Sequence, residues 1–526
     1  MKTRREILAG GTAVAITGTF VASVTALSAS TDHAIPIAPS EWDYRSIKEL
    51  SEALQMRKLS AVELVNHTIA RIEALDQQIN AVVVRDFERA RAAAKAADVA
   101  LARGERRPLL GVPITIKESF NVAGLPTSFG VPKFKDFMPK EDAVLVARAR
   151  SAGAVILGKT NIPMMLADNQ SYNDIYGTTN NPWDLRCAPG GSSGGSAAAL
   201  AAGFGPLSFG SDLGGSLRAP AHYCGVYAHK PTLGLVPDRG QSPPPLPPLV
   251  RDPDLSVVGP MAIRAADLAV ALDVVAGPDE ERDGVGYRLA LPPSRHDSLK
   301  DFRVLVIETN PLIPTEAVIS SAIDRLSERL AGVGVKVART SSQLPDLAES
   351  GRLWVRVLWS RLAALVPPTL YDQMLATASS LAPDDNSLAA ERARGAAMSF
   401  RDYDLARNIR ARLQQQWSLL FREYDVVLCP VISTVAFPHD HRPPAERRIV
   451  IDGKQYGGVD PVWAGNATML GFPATVAPID RSPTGLPIGV QIIGPYLEDR
   501  TTIAFAEFLE REFGGFMPPP GYAGTG

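Results

Sequence analysis

The sequence predicts an α/β fold, and three observations carry that prediction. Apolar runs flanked by glycine, at 109–116 and 154–157, have the length and punctuation of buried strands. Apolar residues elsewhere recur at helical spacing, as in Val62, Val65, Ile69, Ile72 and Leu75. Between the two strand candidates, 143–151 reads as a helix, so strand, helix and strand alternate.

The elements follow in order. Ser46-Ile47-Lys48-Glu49 and Ser60-Ala61-Val62-Glu63 both fit a capping box, in which Ser and Glu satisfy each other's orphan N–H groups and open a helix. Alanine-rich 85–104 predicts a third helix, mostly facing solvent. The run 196–202 is a strong helix former. Further strands are expected at 303–307, 335–338, 426–428, 474–477 and 488–493, and helices at 315–332, 352–380, 388–424 and 500–512. Residues 242–248 (SPPPLPP) read as a stiff surface loop. The helix-rich stretch 310–425 is expected to cover one face and vary the pocket, over a core drawn from about 45–300 and 425–512.

Composition narrows the function. Of 526 residues, 45% are hydrophobic and 21% charged, the balance of an ordinary globular protein and far from disorder. Lys+Arg 54 against Asp+Glu 56 gives a net charge of -2. A nucleic-acid binder needs a basic surplus to neutralise phosphates, so that class is disfavoured. Cys187, Cys224 and Cys429 are too few and too scattered for a disulfide framework or a CxxC metal site.

Residues 1–29 read as an export signal. Lys2, Arg4 and Arg5 start it, a mild apolar run extends from Ile7 to Leu27, and Ala26, Ser28 and Ala29 offer a cleavage site. Thr3-Arg4-Arg5-Glu6-Ile7-Leu8 resembles a twin-arginine signal. The expectation is a periplasmic or secreted protein, with one domain over 30–526 and no stable membrane insertion after cleavage.

The least ordinary stretch is 187–235. Pro189-Gly190-Gly191-Ser192-Ser193-Gly194-Gly195-Ser196 is followed by Gly210-Ser211-Asp212-Leu213-Gly214-Gly215-Ser216-Leu217-Arg218. A flexible linker would not feed directly into an alanine-rich helix. A phosphate loop needs a Gly-Lys-Ser/Thr that is missing. Gly190-Gly191-Ser192-Ser193-Gly194 does satisfy the nucleophile-elbow pattern, which needs a preceding strand and a histidine. Here the preceding residues 181–186 read as a loop, and the candidates His296, His439 and His441 sit in no evident site. A serine can also be activated by a neutral lysine. Lys117 ends the buried run Gly111-Val112-Pro113-Ile114-Thr115-Ile116, where lost hydration lowers an amine's pKa.

These motifs together resemble the amidase signature family, the serine hydrolases that use Ser–Ser–Lys in place of Ser–His–Asp. The matches run through Gly111 to Glu118, Asn180-Asn181-Pro182-Trp183, the two serine–glycine stretches, Pro220-Ala221 and Lys230-Pro231-Thr232. Val258-Gly259-Pro260-Met261, Pro473-Ala474-Thr475 and Gly485-Leu486-Pro487-Ile488-Gly489-Val490-Gln491 extend them, so the resemblance covers roughly 45–512. It implies an amidase-signature fold, one large mixed β-sheet covered by helices on both faces.

By position, the resemblance implies that Ser216 is the nucleophile, Ser192 the bridging serine after a cis peptide at Gly191, and Lys117 the base. Leu213, Gly214, Gly215 and Ser216 would supply backbone N–H groups to an oxyanion hole. Gly191, Ser193, Asp212 and Arg218 would support the site. The implied reaction cleaves a small-molecule amide through an acyl-enzyme, without cofactor or metal, and a homodimer is compatible with it. Glu118 stands where many relatives carry Asp, and Met164-Met165 where an acidic residue is common, which suggests a more apolar pocket wall. Two alternatives stay open: an esterase using Ser192 with a histidine base, and a non-catalytic transamidation-type subunit. His439-Asp440-His441 reads as a solvated loop, and Cys187 and Cys224 as small buried residues.

Overall fold

A computed structural model describes residues 40–244, 253–458 and 460–523. The expected signal at 1–29 and most of the 242–248 loop lie outside the described residues. In chain order the strands are β1 (Val82–Arg85), β2 (Pro113–Lys117), β3 (Val155–Thr160), β4 (Tyr172–Asn173), β5 (Gly177–Thr178), β6 (Leu207–Asp212), β7 (Tyr227–Lys230) and β8 (Val257–Ala262). There follow β9 (Arg303–Val306), β10 (Lys336–Ala338), β11 (Val426–Pro430), β12 (Ile449–Ile451), β13 (Lys454–Tyr456), β14 (Ala474–Arg481) and β15 (Pro487–Ile493). Eleven of them form one sheet in the order β1-β3-β2-β6-β8-β7-β14-β15-β11-β9-β10. It is mixed: β2 runs parallel to β3 and β6, and β11 parallel to β9, while β14 and β15 pair antiparallel.

Strand alternation sends successive side chains to opposite faces, and here each face has its own core. Val304, Val306, Val426 and Leu428 join one cluster, and Leu305, Val427 and Cys429 join the other. The helices Ala265–Val275, Ala317–Gly332 and Asp499–Phe513 cover the first face through Leu272, Ile323 and Phe505. The helices Leu347–Leu362 and Phe400–Glu423 cover the second through Trp354, Leu358, Trp417 and Leu420. Helices thus lie on both faces of one large sheet.

Most of the expected elements are present, with several differences. The stretch 352–380 is two helices, Leu347–Leu362 and Pro368–Ser379, because Pro367 and Pro368 cannot continue the first and Pro368 starts the second. The stretch 388–424 also divides, at Ser399, whose hydroxyl accepts the Asp402 N–H at 3.1 Å and caps the helix Phe400–Glu423. The helix Phe87–Ala102 buries a stripe of Ala90, Ala94, Ala97 and Leu101 and otherwise faces solvent, as expected. Strand β1, not anticipated, pairs antiparallel with β3.

Candidate active site

Strand β2 delivers Lys117 as its last residue, fully buried at 0% exposure. Its Nζ lies 2.7 Å from Ser192 Oγ and 3.0 Å from Ser211 Oγ. Ser211 comes from β6, the parallel neighbour of β2, so sheet register brings lysine and serine together. Burial is the largest influence on the amine and pushes its pKa down to about 7, against the pull of the Asp212 and Asp238 carboxylates.

Ser192 enters from the glycine-rich loop that precedes the helix Gly194–Ala201, and the Gly191–Ser192 peptide is cis. Gly190 adopts φ 86, and a Cβ there would sit 2.8 Å from Pro220 Cα, so glycine fits for both conformation and space. Ser193 ties the two serine segments together. Its hydroxyl donates to the Ser211 carbonyl at 3.3 Å and accepts the Ser211 N–H at 3.4 Å, while its own N–H donates to the Ser216 carbonyl at 3.2 Å.

Ser216 lies on the loop after β6, half-buried. Asp212 and Arg218 brace this loop. All five guanidinium N–H groups of buried Arg218 are engaged: two with Asp212 at 2.9 and 2.8 Å, the others with the carbonyl of Ala464, Gln491 Oε1 and Thr468 Oγ1. Burial opposes the Asp212 charge, but Arg218 and then Lys230 outweigh it and hold the carboxyl down at about 2.

The same carboxylate also accepts the N–H groups of Gly215 at 2.9 Å and Leu217 at 3.1 Å. Gly215, one of the expected oxyanion-hole donors, is among them. The Gly215 N–H is committed to Asp212, because a buried carboxylate draws the nearest donors and the turn presents Gly215 to it. The N–H groups of Leu213, Gly214 and Ser216 have no protein acceptor among the described residues. Lys117 and Ser192 are thus in direct contact, and Ser216 is joined to them through the Ser193 backbone.

Sequence reasoning missed Ser211 and Asp238. Ser211 stood in the Gly-Ser-Asp motif, but its contact with Lys117 depends on the pairing of β6 with β2. Asp238 left no local signal.

The elbow pattern finds neither of its requirements. A loop, not a strand, precedes Ser192, and no histidine among the described residues bonds Ser192 or Ser216. His222 is held by Gly489 and Thr434, and His229 by Thr475 and Asp499. The three cysteines are buried free thiols. The 439–441 loop is only partly solvated: His439 is half-buried, and exposed His441 stacks on Tyr172 at 3.8 Å between ring centroids.

A cavity of about 850 Å³ borders these loops. One wall is 168–170, the backbone that packs on Gly191, and another is Asp460. Tyr223, Phe437 and Ile432 add an apolar lining. Met164, expected at a pocket wall, is 54% exposed and does not line this cavity.

The family model described as Amidase matches residues 63–503, the span that carries every residue of this site. The chain belongs to the amidase family. As a member it is a hydrolase of amides. Among its relatives, fatty-acid amide hydrolase 2-A of Danio rerio is 31% identical, covering 90% of each chain. A glutamyl-tRNA(Gln) amidotransferase subunit from Roseiflexus sp. (strain RS-1) is also 31% identical, over 89% of this amidase and 96% of the relative. Among solved structures, a bacterial aryl acylamidase of the amidase signature family shares the fold, with a TM-score of 0.73 at 24% identity, covering 90% of this chain and 97% of that one.

Proposed function

We propose that this amidase is exported through the twin-arginine signal at 1–29, and that residues 30–526 form a single domain that cleaves carboxylic amides through an acyl-enzyme on Ser216. The observation that carries the chemistry is the 2.7 Å contact between Ser192 and a buried Lys117. A neutral amine there takes the Ser192 proton while Ser192 takes the proton of Ser216, whose oxygen attacks the amide carbon. The oxyanion is received by the uncommitted N–H groups of Leu213, Gly214 and Ser216. Lys117, now an ammonium, returns its proton through Ser192 to the leaving nitrogen, and the C–N bond breaks. Water then attacks the acyl carbon, passing a proton through Ser192 to Lys117; that proton returns to Ser216 Oγ as the acyl C–O bond breaks, and the carboxylic acid leaves and ionises. The substrate is a small-molecule amide, and the cavity of about 850 Å³ that borders the serine loops, while lined by none of Lys117, Ser192 and Ser216, has room for one.

A serine-directed fluorophosphonate tests the nucleophile. The adduct is expected on Ser216, and an adduct on Ser192 would overturn the assignment. Export has its own test: changing Arg4 and Arg5 to Lys should leave active enzyme in the cytoplasm, and undiminished periplasmic protein would remove the twin-arginine reading. The likeness to an amidotransferase subunit favours a second reading, a transamidation partner. Amide hydrolysis by the purified chain alone separates the two, since a subunit that depends on partners would be inactive.

A further inference from the structure

We propose that Ser211 is a positioning residue for Lys117: its hydroxyl takes one N–H of the amine, so that the nitrogen lone pair faces Ser192. The inference rests on the reading of Lys117 as the base. A neutral amine has two N–H groups and one lone pair, and its orientation about the Cε–Nζ bond decides where that pair points. Lys117 is wholly buried, and its hydrogen-bond partners are the two hydroxyls of Ser192 and Ser211. If the lone pair is to accept from Ser192, Ser211 must accept from nitrogen.

The surroundings hold Ser211 in that role. Its backbone N–H and carbonyl are both clamped by Ser193 Oγ, at 3.4 and 3.3 Å. The same hydroxyl serves the charged half of the cycle, since an ammonium donates to Ser192 and Ser211 at once. Ser211 therefore favours the protonated amine, and its loss should make Lys117 a weaker base.

Asp238 apart, the other charged groups near the amine are committed elsewhere. Asp212 is paired with Arg218. Glu118, the next residue on the chain, accepts from Ser128 and Phe129, and Lys159 on β3 donates to Pro126 and Thr127. Lys230 on β7 donates to the Pro231 carbonyl, and Asp238 acts on Lys117 through its charge. None of these groups is a hydrogen-bond partner of Nζ that could replace Ser211.

Threonine and valine have the same shape and differ by a hydroxyl, so Ser211→Thr and Ser211→Val isolate the hydrogen bond. The measurement is the pH dependence of kcat and KM on one amide, with circular dichroism confirming that each variant folds. Ser211→Thr should keep the acid limb of the parent enzyme. Ser211→Val and Ser211→Ala should lower kcat about tenfold or more, leave KM within about twofold, and move the limb down by about one pH unit. Matching limbs for the Thr and Val variants would overturn the proposal. Lys117→Ala, run beside them, tells the two failures apart. If it retains amide hydrolysis the base assignment falls; if it abolishes hydrolysis while the Ser211 limbs stay put, only the role of Ser211 falls.

Discussion

The loops around Lys117 and the outer faces of the helices between 347 and 423 are built on opposite terms. Around Lys117, small residues are packed against backbone, and Lys117, Ser192, Asp212 and Arg218 are all buried in hydrogen bonds. A Cβ on Gly191 would strike the Asp168 carbonyl, and one on Gly195 the backbone of Asn161. In the second region the helix Pro368–Ser379 buries no residue at all, and Phe400 is 84% exposed. The difference separates what the reaction needs from what it does not. Placing an amine against a hydroxyl to within a few tenths of an ångström requires a rigid surround, whereas an exposed helix can change its surface without moving that pair.

The largest effect should come from the amine itself. Lys117→Ala is expected to lower kcat/KM for an amide by about a thousandfold or more, and far less for a matched activated ester, whose leaving group needs little protonation. The parent enzyme should show the lysine in its pH profile. The base must be neutral, and burial has brought its pKa down to about 7. Below that value activity should rise roughly tenfold per pH unit, and above it the profile should level off. Equal losses on ester and amide would mean that Lys117 does not handle the proton.

Next in size is the brace beneath Ser216. Arg218→Met removes five hydrogen bonds and leaves Asp212 buried without its partner, which costs about 3–5 kcal/mol. Chemical denaturation should show that loss. A variant as stable as the parent would mean that the loop does not depend on the pair, and the contrast between the two regions would lose its sharpest member.

Sequence showed the chemistry of the site better than its geometry. Lys117, Ser192 and Ser216 sit in motifs whose residue types are unusual together, so each could be singled out from the sequence as a candidate, and the structure puts Lys117 in contact with Ser192. Ser211 was not singled out, because its part depends on β2 lying parallel to β6, a pairing that no local pattern encodes. The commitment of the Gly215 N–H to Asp212 was hidden for a similar reason, since it is decided by how the turn folds back three residues. Helical content between 310 and 425 followed from periodicity, but its breaks did not, although Pro367-Pro368 marks one of them plainly. Strands β6 and β7 were obscured by their own composition. They are short, they hold Ser, Gly, His and Lys, and only tertiary burial makes them core.

The smallest expected effect lies in the exposed helices. Leu370 is 45% exposed and Phe400 84%, so neither side chain gains much by leaving water on folding. Leu370→Ser and Phe400→Ser should each change stability by no more than about 0.5 kcal/mol, the usual range for surface substitutions. Neither residue touches the β2 or β6 segments, so kcat on a small amide should stay within about twofold of the parent. Thermal melting and steady-state rates on the purified variants check both points. A drop of several degrees would show that these side chains are covered in solution and that the second region is as tightly determined as the first. A fall in kcat without loss of stability would show instead that the exposed helices reach the chemistry, and the two regions could no longer be treated as separate.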